Sequence, residues 1–207
     1  MARVFNGTNT GLSVTTAIVA AYPFSWGCWF KGAQQAASLM SLNASATLRH
    51  DLSVASGGFL RNQQATSGNN ATSAVAYTAG VWNHGIAICA SNTDRRVYLN
   101  GGNRANNTNN LAFAAIDNLW VGAQRVNADW WNGSIAEAAI WNAALTDAEV
   151  AKLAAGISPL SMRPDKLVAY WPLYGGFSPE VPYKGTAALV LTNAPTRGDH
   201  VRIFGVI

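Results

Sequence analysis

The chain has 207 residues and is 49% hydrophobic with eight Trp, yet only 12% of it is charged, for a formal net charge of +4. Average proteins carry about 25% charged residues, so Asn, Ala, Ser, Thr and Gly must cover the surface, which suits burial against partners. The positive charge is scattered, with Arg95-Arg96 the one adjacent basic pair. That argues against the basic stripe of a nucleic-acid binder, and no run approaches the roughly 18 apolar residues of a membrane span.

The first residues, MARVFNGTNTGLSV, contain no apolar signal core, so synthesis in a reducing cytoplasm is expected. Cys28 and Cys89 both fall in predicted strands and are expected as buried thiols rather than a disulfide. Ala2–Phe5 and Gly11–Val14 read as strands beside an Asn6-Gly7 turn. Phe24–Lys31 (FSWGCWFK) is apolar on both faces, the mark of a central strand. Further strands are expected at 37–42, 46–52, 58–62, 73–78, 82–90 and 95–99, the last ending on the turn Asn100-Gly101. Residues 103–110 are polar and Asn-rich and read as an exposed loop. A strand at 118–123 follows, then the turn signal Asn132-Gly133 and a strand at 134–141. Strict alternation there puts Ile135, Glu137, Ala139 and Trp141 on one face.

Thr146 and Glu149 form a capping box, with Leu145 placed to staple onto Val150. Gly156 and Pro159 end the helix, giving a single short α-helix near 147–155. Strands follow at 167–172, 187–191 and 201–204, and 177–182 is a long connection with two prolines. Many short strands at regular spacing with one small helix define an all-β sandwich.

The series Val81-Trp82-x-His84, Arg96-Val97-Tyr98-Leu99-Asn100-Gly101 and Leu119-x-Val121-Gly122 resembles the laminin-G-like branch of the concanavalin-A-like jelly rolls. So does the closing unit, Asn132-Gly133, Ile135-Ala136-Glu137, Trp141-Asn142 and Leu145-Thr146-x-x-Glu149. The likeness covers about residues 1–173. It implies a single laminin-G-like jelly-roll β-sandwich over 1–207, with a C-terminal extension from about 174. The segments Gly156–Leu160, Arg163-Pro164 and Leu167–Leu173, with the ending Ala194-Pro195-Thr196 and Asp199-His200, are similar to the version found in proteins of tailed bacteriophages. That resemblance implies a virion component made in the host cytoplasm: a capsid decoration (cement) protein or a fibre module.

Catalysis finds little support in the residues. A retaining glycosidase needs two carboxyl groups about 5–5.5 Å apart, and the 134–141 strand offers Glu137 alone. Asp147 and Glu149 are expected to serve the helix N-terminus, and Glu137 to bond to backbone or an arginine. His84 is expected as a hydrogen-bonded structural histidine. His50-Asp51 and Asp199-His200 point to opposite faces if extended and make no dyad. Laminin-G-like domains often bind calcium at the rim, but Asp94, Asp117 and Asp129 are isolated. No metal or cofactor is therefore expected, calcium having been weighed and set aside.

Two surfaces are candidates for binding. Trp130-Trp131, with Asp129 and Asn132, is the candidate sugar platform, although the two indoles point opposite ways in an extended chain. Val201, Ile203, Phe204, Val206 and Ile207 form an apolar terminus suited to a partner or a final strand. The expectation is a non-enzymatic virion structural protein, a decoration protein bound to the major capsid protein or other virion proteins. The alternative is a carbohydrate-binding adhesion module of a fibre or surface protein. A glycan and a second copy of the chain are further candidate partners; nucleic acid and membrane are not.

Overall fold

The computed structural model describes residues 1–33, 35–45, 48–64, 70–113, 115–124, 129–175 and 177–204. The first seven strands are β1 (Ala2–Asn6), β2 (Gly11–Val14), β3 (Phe24–Gly32), β4 (Ala37–Asn43), β5 (Arg49–Val54), β6 (Phe59–Gln64) and β7 (Asn70–Ala76). Then come β8 (Asn83–Ser91), β9 (Asp94–Leu99), β10 (Gly102–Asn107), β11 (Asn118–Val121) and β12 (Asn132–Trp141). Helix α1 (Asp147–Ala154) and a 3-10 turn (Pro159–Ser161) precede β13 (Leu167–Trp171), β14 (Val190–Thr192) and β15 (Thr196–Gly198). These form two antiparallel sheets, one ordered β10-β9-β8-β3-β12-β1-β15 with β13 also on β12, the other β14-β2-β11-β4-β5-β6-β7. We call them the helix-bearing sheet and the open sheet. The architecture is an all-β two-sheet sandwich with one short helix, consistent with a jelly roll.

Alternating inward residues of both sheets make the core, which includes Phe24, Trp26, Phe30, Leu42, Leu119 and Ile135. A second apolar layer lies outside the helix-bearing sheet, where Val150 and Leu153 of α1 cover Ile86, Ile88, Tyr98 and Trp141. The capping box forms as expected, with Thr146 and Glu149 each accepting from the other's backbone N–H. Leu145 joins Val150 in the same apolar cluster, and Gly156 ends the helix at φ +89°. Thr146→Ala is expected to cost about 1 kcal/mol, read as a lower urea midpoint at unchanged slope.

Four features differ from the sequence expectation. Asn132-Gly133 is not a turn but the start of β12, opposite Asn6 and Phe5 of β1. The glycine permits close strand approach: a Cβ there would lie 2.2 Å from the Lys31 carbonyl oxygen. Residues 102–107 are a strand rather than a loop, because an edge strand needs no apolar face and its polar side chains discourage pairing with other chains.

At the C-terminus, the expected 187–191 strand is shifted to Val190–Thr192, and β15 appears at Thr196–Gly198. Residues 201–203 form no strand, and Phe204 makes a single parallel bridge to Ile157. The extension thus gives an edge strand to each sheet. Finally, the register of β12 against β3 shifts between Ala136 and Ala139, with Glu137 at φ +57°. This bulge flips the alternation, so Ile135, Ala138 and Ile140 enter the core while Ala139 and Trp141 face α1.

Candidate functional site

The outer face of the open sheet carries the candidate site. In β11, Leu119 and Val121 point into the core, so Trp120 points out. Register places Trp120 beside Ser13 of β2 and Ser41 of β4, then Ser41 beside Asp51 of β5, and Asp51 beside Gln63 of β6. Trp130 meets Trp120 edge to face, with ring centroids 6.3 Å apart at 78°. Both indoles are half-buried. Gly11 makes room for them, since a Cβ there would lie 3.1 Å from the Trp130 ring and 3.4 Å from Trp120.

Next to this pair lies a polar network. The fully buried Asp51 carboxylate accepts from Arg49 Nε at 2.5 Å, from Gln124 Nε2 at 3.0 Å and from the Ser41 hydroxyl. Burial pushes the Asp51 carboxyl up, against the opposing pull of those donors. A cleft of about 100 Å³ opens beside it, lined by Ser53, Arg61, Gln63, Gln124 and Asp129. Two of its buried polar atoms, Arg61 Nε and Ser53 Oγ, have no partner among the described residues. Such a surface can stack the apolar face of a sugar ring on an indole and meet its hydroxyls with fixed polar groups.

The structure separates the four residues of the sequence-predicted platform. Asp129 (exposed) lines the cleft and Trp130 flanks Trp120. Trp131 is withdrawn, because its indole has 0% exposure and packs against Phe30 at 5.7 Å and Tyr77 at 6.3 Å. Asn132 is exposed but sits on β12, in the other sheet. Trp120, Arg61, Gln63 and Gln124 were not anticipated; the one local signal was a Trp between two inward apolar residues of β11. Of the apolar terminus, Val201 and Ile203 are half-buried and Phe204 is 47% exposed against the Arg202 guanidinium. Val206 and Ile207 lie outside the described residues.

The candidate acid–base residues are enclosed. Glu137, 3% exposed, accepts from the Tyr170 hydroxyl and lies 3.2 Å from His200 Nε2, rather than bonding to the expected backbone or arginine partners. Burial works against a charge on His200, but Glu137 and the carbonyls of Val201 and Pro172 outweigh it and raise its pKa. His84 packs on Trp29 at 5.1 Å, and its Nδ1 lacks the expected hydrogen bond among the described residues. Burial lowers it to about 3.

His50, Cys89 and Asn62 form a trio with sulfur 3.9 Å from His50 Nδ1 and 3.7 Å from Asn62 Nδ2. All three are at 0% exposure, and burial first of all pushes the thiol up to about 12, so it has neither thiolate character nor access. Cys28 and Cys89 are both unbonded. Asp147 accepts from the Tyr98 hydroxyl at 2.6 Å and pairs with Arg104. Asp94 pairs with Arg96, and Asp117 accepts from the Asn118 amide. Among the described residues no three of His, Cys, Asp or Glu gather as a metal set.

The two facing antiparallel sheets, the capped helix over one and the open polar-aromatic face of the other define a lectin-like jelly roll. Residues 6–151 match the laminin-G family of the concanavalin A-like lectin/glucanases superfamily, and the chain belongs to that family. Among solved structures, a carbohydrate-binding protein from Bacteroides ovatus, so described provisionally, is similar at 15% identity with TM-score 0.68, over 95% of this chain and 60% of that one. Domain 4 of an extracellular arabinanase from Geobacillus stearothermophilus, solved with arabinotriose, is 22% identical with TM-score 0.60, over 74% and 76%. A pentraxin from Limulus polyphemus is 18% identical with TM-score 0.59, over 73% and 80%. At these identities the likeness is one of fold. No curated protein matches the chain at a significant level of sequence similarity.

Proposed function

We propose that the protein is a non-enzymatic carbohydrate-binding module that holds glycans on the outer face of its open sheet. The observation that carries this reading is the half-exposed Trp120–Trp130 pair leading into a polar cleft whose Arg61 Nε and Ser53 Oγ have no partner among the described residues. Ser41, opposite Trp120, and Ser38, whose N–H bonds to the Asp129 carbonyl, lie three residues apart on β4. At about 3.3 Å per residue the aromatic pair and the cleft are roughly 10 Å apart, which suits a short oligosaccharide rather than one ring. The arabinotriose complex of the arabinanase domain and the description of the Bacteroides protein agree with a sugar-binding role for this sandwich.

Trp130→Ala is expected to weaken binding on a glycan array at least tenfold and to abolish quenching of tryptophan fluorescence by the bound glycan. Trp131→Ala should instead act on stability, by about 3–5 kcal/mol for a fully buried indole. Glycan binding unaffected by Trp120→Ala and Trp130→Ala would remove the platform.

A second reading, attachment to a virion shell as a decoration protein, is favoured by one observation. The extension exposes Tyr174, Phe177, Val181 and Tyr183, at 41%, 70%, 55% and 59%, around an apolar groove of about 360 Å³. Mass spectrometry of purified virions tests it: hundreds of copies per particle would support decoration, and absence would sink it.

A further inference from the structure

We infer that the cleft beside Trp120 and Trp130 selects glycans bearing a carboxylate, a uronic or sialic acid, and that Arg61 reads that charge. The inference rests on the carbohydrate-binding reading and names its ligand class.

Elsewhere in the fold, Arg3, Arg49, Arg96, Arg104 and Arg163 each hold a carboxylate in an ion pair, whereas Arg95 is held by neutral side-chain and backbone oxygens. Arg61 is half-buried in the wall of a cleft, and its Nε is sealed from solvent without a partner among the described residues. An unpaired buried N–H is costly, so turning the half-buried guanidinium to present its Nε–H to an acceptor arriving in the cleft would relieve that cost. The Nε–Nη edge of a guanidinium matches a carboxylate in a two-bond fork, which no neutral sugar hydroxyl reproduces.

The neighbours support the same occupant. Ser53 stands opposite Arg61 across the β5–β6 ladder, and its hydroxyl is also buried and unpartnered among the described residues, placed for a second bond to the same group. The Gln63 and Gln124 side chains in the cleft can meet ring hydroxyls. Asp129 lines the same cleft, where its carboxylate can accept hydrogen bonds from sugar hydroxyls while repelling a second negative group, so one carboxylate enters in one orientation. The chain's net charge of +4 is compatible with an anionic ligand.

The test compares, on an array and by calorimetry, uronate- and sialate-bearing oligosaccharides with the same compounds as methyl esters, which keep every ring atom and lose the charge. The free acids are expected to bind about ten- to a hundredfold tighter than the esters. Arg61→Gln should weaken the acids to the level of their esters and leave the melting temperature in place, since Arg61 Nε has no partner to lose among the described residues. Raising the salt concentration should weaken the acids more than the esters. If acids and esters bind equally and Arg61→Gln changes nothing, the charge reading falls while the sugar site stands. Preference for sulfated over carboxylated glycans also overturns it. If no glycan of either kind binds, the carbohydrate reading itself is lost.

Discussion

Replacing Arg3 with methionine is expected to free the C-terminal extension and to lower stability by about 3–5 kcal/mol. Arg3 is 4% exposed on β1, and it gathers three separate pieces of the extension. It pairs with Glu180, its Nε donating at 2.8 Å, and its other nitrogens donate to the carbonyls of Pro195 at 3.0 Å and Phe177 at 2.5 Å. Glu180, also 4% exposed, accepts from Gly175 N–H with its second oxygen. Methionine would fill much of the space but leave the buried Glu180 carboxylate with the Gly175 N–H and no counter-charge, and two carbonyls without the Arg3 donors, and the uncompensated buried charge dominates that sum. The double variant Arg3→Met/Glu180→Leu should recover part of the loss, because removing both charges removes the desolvation penalty with them. Urea unfolding gives the energy, and limited proteolysis reports cleavage between 174 and 198. A single-variant loss below about 1 kcal/mol, with the extension still resistant, would show that β14 and β15 hold it without Arg3.

How much of this was legible depends on where each residue lies in the sheets. Central strands such as Phe24–Gly32 and Asn83–Ser91 announce themselves because both faces are buried and nearly every residue must be apolar. The helix was legible from Thr146, Glu149 and Gly156, since capping chemistry is local. Edge strands β10 and β15 were not, because one paired side and a solvated face ask for no apolar pattern. The Glu137 bulge was hidden by its surroundings: with apolar residues on both faces of β12, inserting one extra residue leaves the composition unchanged. Alternation correctly sent Trp130 and Trp131 opposite ways but could not say which turned inward. Phe30 and Tyr77, distant in sequence, decide that by packing on Trp131. Arg61 and Ser53 join Asp129 and Trp130 only through the order β11-β4-β5-β6, so no local motif could have brought them together.

Acidification is expected to begin destabilising the protein above the range where its surface carboxylates titrate, because two histidines are locked inside as neutral rings. His50 sits among Tyr22, Phe24, Trp26 and Phe113, and burial, with Arg95 adding to it, lowers its pKa to about 3. His84 is lowered to about 3 by burial alone. Both values lie below the ordinary 6.5, so in the window between them the unfolded chain binds a proton that the folded chain refuses. Stability from each histidine is whole above about pH 6.5 and falls as pH drops toward 3, by about 1.4 kcal/mol per pH unit. At pH 4 the two together remove about 7 kcal/mol, against a total of about 5–15 kcal/mol for a folded domain.

His200 has the opposite sign, since its raised pKa gives stability that is fully present below 6.5 and lost only as pH rises through its folded value. It therefore forfeits nothing in the acid window. Asp51, whose pKa is raised by burial, offsets part of the loss once it protonates in the folded state. The slope of unfolding free energy against pH between 6 and 4 should be halved in His50→Phe and again in His84→Leu, and be near zero in the double variant. Phenylalanine keeps the aromatic box around position 50 filled, and leucine leaves no unpaired nitrogen at 84. Urea titrations at four pH values give the slope, and the ring-proton shifts of His50 and His84 should stay those of neutral imidazole down to the acid transition. An unchanged slope in both single variants would mean that the acid sensitivity belongs to other groups.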